Sequence, residues 1–216
     1  MKRIVSMIPE RMRLPLIVVL AWDLVVYSGS RLVTRGMIHY NMSLALDGQI
    51  PLIPWTASIY LVCYAFWVVN YILAVRQREP EAFRFVGAEL LAKTVSLVFF
   101  LLLPTTMIRP AVTGSGFWND VMRLIYRTDA ADNLFPSLHC MISWFCYIGV
   151  RKNPEIPRWY RVFSLVFALA VCVSTVTTKQ HVLVDIGAGI ALAELCYWIA
   201  GTRRFRRLLP SWAEQK

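Results

Sequence analysis

The chain has 216 residues, 57% of them hydrophobic, with a formal charge of +10 and a mean hydropathy of +0.52. That apolar content excludes an ordinary soluble domain and the length excludes a lone membrane anchor, so one membrane domain covering residues 1–216 is expected. The five cysteines are odd in number and all lie in hydrophobic stretches, which fits small buried packing groups and argues against a disulfide framework.

Six stretches are long and apolar enough to cross about 30 Å of hydrocarbon as helices. They are 14–30, 55–75, 85–104, 134–150, 162–178 and 181–201, which predicts an all-α, six-helix transmembrane bundle. The first is short, carries Asp23 and follows Lys2, Arg3, Arg11 and Arg13, features that a signal peptide shares. The long basic leader and the lack of a small-x-small cleavage site favour a retained helix.

Two longer connections follow on one side. The first, 31–54, holds His39, an interface residue, and Asp47-Gly48-Gln49-Ile50-Pro51 followed by Leu52-Ile53-Pro54-Trp55, which suits a stretch lying in the interface. The second, 105–133, holds Arg109-Pro110, Gly114-Ser115-Gly116 and the polar run Asp129 to Asn133. The N-terminus, the 76–84 and 151–161 loops and the C-terminal tail carry 16 Lys and Arg, against six on the other side. Both termini are therefore expected to be cytoplasmic, and the basic excess reads as a topology signal rather than a nucleic-acid footprint. Inside the spans, Glu89 and Lys93 are spaced to pair as i, i+4, and Asp23 and Glu194 read as structural.

By parity, Arg109 after the third span, His139 opening the fourth, and Lys179 and His181 between the fifth and sixth share the non-cytoplasmic face. Asp185 lies one helical turn beyond His181. Arginine offers a planar fork to phosphate oxygens, and a helix opening at Pro136 turns free N–H groups and a positive dipole end toward an anion. A histidine held by a carboxylate can act as nucleophile, and a second histidine can protonate a leaving oxygen. Taken singly, each of these also reads as an ordinary interface residue; intramembrane ionisable groups in combination point to function.

Pro136-Ser137-Leu138-His139, then Ser174 and His181-x3-Asp185, resemble the phosphatidic acid phosphatase type 2 superfamily, whose blocks are Lys-x6-Arg-Pro, Pro-Ser-Gly-His and Ser-Arg-x5-His-x3-Asp. The Leu138 variant and the Asp-Gly-x-Ile-Pro stretch are similar to the branch containing inositol phosphorylceramide synthase. The resemblance implies a phosphohistidine on His181, oriented by Asp185, with His139 as general acid and Arg109, Ser137 and Ser174 in the phosphate cradle. Two cation positions depart from the pattern, with Leu102 and Thr175 in their places. Lys179 is positioned to replace one of them, and Arg123 or Arg127 the other.

The expected protein is a lipid phosphatase acting on a lipid phosphate or pyrophosphate at the outer leaflet, without metal or cofactor. Its partner is a membrane lipid and not nucleic acid, and its small size and short loops suit a bacterial cell membrane. A phospholipid headgroup transferase is the alternative enzyme. A haem protein using His139 and His181 as axial ligands, or a transporter with Asp185, Glu194, Glu89 and Lys93 as a polar pathway, are the readings of other classes.

Overall fold

A computed structural model describes residues 6–206. Five of its helices have the length and hydropathy to cross a membrane: α1 (Glu10–Thr34), α2 (Pro54–Val75), α3 (Glu79–Leu102), α6 (Arg158–Thr177) and α7 (Leu183–Ala200). Between them lie α4 (Phe117–Thr128) and α5 (Leu138–Arg151), and α8 (Arg203–Arg206) follows. Local chemistry sets several starts. Pro80 and the acidic pair Glu79 and Glu81 open α3, where a missing N–H is harmless and negative charge meets the positive dipole end. The segment Val25–Gly29 of α1 is a π-helical turn, a feature concentrated at functional sites.

The stretch expected to span as 134–150 is shorter than predicted. α5 begins only at Leu138 and has 14 residues, about 21 Å at the α-helical rise, against about 30 Å of hydrocarbon. Residues before it are spent in extended, pinned chain. The Leu134 and Phe135 N–H groups both donate to Thr105 Oγ1, at 2.8 and 2.9 Å. Eleven of the 14 residues of α5 are buried, because α2, α3, α6 and α7 surround it. It is the hub of the bundle and scarcely faces its surroundings. The connection expected at 105–133 contains α4, an amphipathic helix whose Met122 and Ile125 pack on Ala57 and Tyr60 of α2.

At one end of the bundle three connections converge. Tyr40–Asn41 (β1) pairs in parallel with Thr105–Thr106 (β2), and the Ile53 N–H donates to the Thr177 carbonyl at 2.9 Å. Asp47 Oδ1 accepts from the Leu183 N–H at 2.8 Å, satisfying one of the free donors at the start of α7.

Within the bundle Lys93 is enclosed with two carboxylates, Glu89 at 3.2 Å and Asp23 at 3.1 Å. Tyr71 donates to Glu89. The i, i+4 pair expected from sequence thus gains a third member from α1. Glu194 is held by Arg151 and by Trp144 Nε1 at 2.8 Å.

One close approach fixes how α5 meets α7. A Cβ on Gly189 would lie 2.7 Å from the Ser137 carbonyl and 3.3 Å from the Met141 nitrogen, both backbone atoms unable to move aside cheaply. Gly189→Ala therefore forces the two helices apart, and overpacking of this kind costs about 1–3 kcal/mol. A lowered thermal midpoint in detergent is expected, with a larger loss for Gly189→Val.

Candidate active site

The first wall of the site is the start of α5. Ser137 caps it, its Oγ accepting from the Cys140 N–H at 3.2 Å, and the Ser137 N–H donates to the Asp185 carbonyl at 3.2 Å. Asn133, at φ +50°, donates to Ser30 Oγ (3.2 Å) and Thr34 Oγ1 (3.0 Å), tying the preceding segment to the end of α1. On this frame His139 projects into an aromatic box. Tyr60 stacks on its ring at 4.5 Å, Trp67 lies at 5.4 Å, and Tyr64 Oη is 3.2 Å from Nε2.

The second wall is the junction of α6 and α7. α6 ends in a Schellman turn: the Lys179 N–H reaches the Val176 carbonyl (3.2 Å) and the Gln180 N–H the Thr175 carbonyl (2.8 Å), with Lys179 at φ +54°. The turn puts Lys179 on one side of the chain and Gln180 and His181 on the other. His181 Nδ1 lies 3.3 Å from Asp185 Oδ2, which also accepts from the Val182 N–H at 3.0 Å. Among the described residues no hydrogen-bond partner is seen at Nε2, the other ring nitrogen of His181. The two imidazoles face each other with centroids 6.0 Å apart.

Burial would push the His181 pKa down, but its hydrogen bond to Asp185 and the carboxylate's charge outweigh that, and the net direction is up. Arg109 adds the cation. Its Nε donates to the Lys179 carbonyl (3.0 Å), Nη1 to the Asp129 carbonyl, and Nη2 to Gln180 Oε1 (2.6 Å). Three of its five donors thus hold the fork in place, and two remain. Burial draws its pKa down from a value so high that the cation persists. Tyr126 lies beneath the guanidinium, 4.9 Å from carbon to ring centroid.

Arg109, His139, His181 and Gln180 line one cavity of about 30 Å³, with Tyr27, Asp129 and Asp132 among its other walls. A chamber of about 160 Å³ shares Tyr27, Leu138 and His139 with it.

Of the remaining candidates, Ser137 is fully buried and its oxygen serves as the cap described above. Ser174 is also buried, and its hydroxyl donates to the Val171 carbonyl at 2.7 Å. Lys179 lines a different cavity, and its ammonium donates to the carbonyls of Asp47 (2.9 Å) and Ile50. Arg123 is spent on Asp120 (2.6 Å) and the Val112 and Gly114 carbonyls, and Arg127 is exposed on α4. None of Lys179, Arg123 and Arg127 lines the histidine cavity. Of the two departures, Leu102 is 77% exposed, while Thr175 is buried against Cys140.

Three participants escape a reading of the sequence. Gln180 is 2% exposed, and its Nε2 has no acceptor among the described residues, a buried donor left open at the cavity. Asp129 is gripped by Tyr27 Oη (2.6 Å) and Tyr60 Oη (3.1 Å). Arg31 reaches Asp132 (2.9 Å) and Asp129 (3.7 Å) from the end of α1. Gln180 adjoins His181 in sequence, a signal that was available; Arg31 and Asp129 meet only through folding.

The Lys179 contacts make it a fastener for the 44–50 segment. Lys179→Ala is expected to raise amide hydrogen exchange in that segment by about tenfold, the effect of losing roughly 1–2 kcal/mol of charge-assisted hydrogen bonding. Asp47→Ala, acting on the same segment, is expected to give the same exchange pattern.

No curated protein and no solved structure matches the chain. A family model described as the PAP2 superfamily matches residues 31–199. The matched stretch runs from the last turn of α1 almost to the end of α7 and encloses both histidines, Asp185 and Arg109. By that match the chain belongs to the PAP2 superfamily, a family of the phosphatase and phosphotransferase type, as the order of its motifs led us to expect.

Proposed function

We propose that the protein hydrolyses a lipid phosphate or pyrophosphate through a phosphohistidine on His181. The observation that carries this is the pairing of His181 Nδ1 with Asp185, which leaves Nε2 open toward His139 in a cavity that also holds the free donors of Arg109. His181 Nε2 attacks phosphorus as the bond from phosphorus to the lipid oxygen breaks, and that oxygen takes a proton from His139. Water then attacks phosphorus, His139 takes a proton from that water, the phosphorus–nitrogen bond breaks, and phosphate leaves. As the imidazolium, His139 directs its Nε2–H to Tyr64 Oη at 3.2 Å and gives its Nδ1 proton to the leaving oxygen, becoming the neutral ring that accepts the water's proton in the second step. Arg109 holds the phosphate oxygens together with Gln180 Nε2, an open donor standing where Leu102 and Thr175 supply no cation.

The excess of basic residues on the opposite loops supports an outward-facing site acting on the outer leaflet. A headgroup transferase is the second reading, favoured by the chamber of about 160 Å³ beside His139, where a lipid alcohol would replace water as acceptor.

Purified protein in detergent with chelator, given lipid phosphates and phospholipids with and without a lipid alcohol, tests the reading. Free phosphate is the expected product, and a new phospholipid marks the transferase. His181→Ala is expected to abolish turnover and labelling from a phosphorus-32 substrate; retained labelling would remove His181 from the role. His139→Ala is expected to lower kcat by about 10²–10⁴-fold, the usual worth of a positioned acid. Gln180→Leu is expected to weaken inhibition by inorganic phosphate as well as turnover.

The pH dependence has a definite sign. His181 attacks only as the neutral ring, and Asp185 lifts its pKa above the ordinary 6.5. The rate is therefore lost as pH falls through that raised value. Asp185→Asn removes the charge, so the acid limb is expected to move to lower pH while the plateau drops.

A further inference from the structure

The end of α5 away from His139 holds a second polar recess. Arg151 closes α5, about 18 Å along the helix from His139 at the α-helical rise. A short turn then brings in Arg158 and Arg161, both among the first four residues of α6. The three arginines, with Tyr147, Val162 and Leu165, line a cavity of about 230 Å³. None of these six residues lines the histidine cavity or the chamber beside it.

The charge in this recess is out of balance. Among the described residues, the Arg158 and Arg161 side chains meet no carboxylate and no hydrogen-bond acceptor, and Arg161 Nε is buried with its N–H open. Arg151 gives both terminal nitrogens to Glu194, yet its Nε is buried and open as well. Glu194 is already committed to Arg151 and Trp144, and Glu155 in the turn forms no ion pair among the described residues. The start of α6 adds the positive end of a 20-residue helix dipole, with no acidic residue in the first turn to meet it. Two arginines at that place are repelled by the dipole and by each other. Membrane topology asks only for basic residues on a loop, which exposed Lys152 satisfies. It does not ask for guanidinium nitrogens that are buried and unpaired, which are costly until an acceptor arrives.

We propose that this recess binds the phosphate of an anionic phospholipid, in the leaflet at the far end of the bundle from the histidines. Guanidinium forks match phosphate oxygens, and basic pockets between spanning helices are suited to lipid headgroups. The neighbouring surface favours a lipid over free phosphate. From Val162 the exposed apolar side chains of Val166 and Leu169 continue along one face of α6 at helical spacing, a path for an acyl chain. Trp159, beside Arg158, is exposed as an indole at headgroup level is. A headgroup with its own ammonium is disfavoured, because that cation meets three guanidinium groups and one committed carboxylate. Arg151 also ties α5 to Glu194 of α7, so the bound lipid braces, from the other end, the two helices that the Ser137–Gly189 contact holds together.

The test uses the full chain in detergent, with phosphatidylglycerol and phosphatidylcholine of matched brominated chains and inorganic phosphate as probes. Occupancy is read as quenching of Trp159 emission, taken as the difference from Trp159→Phe. Phosphatidylglycerol is expected to bind about tenfold more tightly than phosphatidylcholine, and inorganic phosphate is expected not to displace it. Arg158→Gln combined with Arg161→Gln is expected to weaken phosphatidylglycerol binding by about tenfold or more, through lost charge-assisted hydrogen bonds. The thermal midpoint without lipid is expected to stay unchanged in that variant, since neither side chain has a partner to lose. Equal binding of the two lipids to wild type overturns the site without any variant having to fold, and an unchanged preference in the double variant overturns it as well. Full displacement of phosphatidylglycerol by inorganic phosphate overturns the lipid assignment and gives the recess to a soluble phosphate.

Discussion

The geometry of the site depends on how closely two backbones meet. The Ser137 carbonyl fits against Gly189 only because Gly189 has no side chain, and the Ser137 N–H binds the Asp185 carbonyl at 3.2 Å. These two contacts set the start of α5 against the first turns of α7 and bring His139 and His181 within 6.0 Å. Everything else at the site adjusts around them. The Schellman turn delivers His181, Asp185 fixes its ring, and the aromatic box fixes His139. His139 stands on α5 and His181 on the turn into α7, and the backbone-to-backbone seam between those helices holds both, a rigidity that the proposed nucleophile and acid require.

Charge is handled differently at the two levels of the molecule. Near the cavity, carboxylates and guanidinium groups alternate: Asp185 serves His181, Arg31 serves Asp132 and Asp129, and Arg109 is braced mainly by carbonyls. Deep in the bundle, Lys93 is enclosed and depends wholly on Glu89 and Asp23. A buried pair of this kind contributes little net stability, yet losing one partner is severe, because the other is left charged and unsolvated. Its value lies in fixing α1 against α3.

Much of the fold was legible in the sequence because hydrophobic length is a strong signal: five predicted spans correspond to long apolar helices. The fourth was overextended, since Leu134 and Phe135 continue the apolar run toward Ser137, while tertiary hydrogen bonds to Thr105 hold them outside the helix. α4 was read as part of a connection, although Trp118, Met122 and Ile125 carry a helical spacing, because a search for spans passes over short amphipathic segments. At the site, topology alone placed both histidines, Asp185 and Arg109 at one end. It did not foresee that Lys179 would turn away, because one residue in a left-handed conformation decides which side of the chain its neighbours face. Nor did it foresee Gln180, whose open Nε2 is a property of the folded cavity.

The shortness of α5 has a consequence for the medium in which the chemistry runs. Ser137 meets α7 between Asp185 and Gly189, so the floor of the cavity lies about 3–9 Å inward from the first residue of α7 at the helical rise. The segments around Arg109 and Asp129 close over that recess. Its depth approaches the Debye length of about 8 Å at physiological ionic strength. Mobile ions therefore screen the attraction between Arg109 and an enclosed anion much less than they screen the basic loops outside. The recess behaves as a separate dielectric compartment, in which a few fixed dipoles stand in for bulk water.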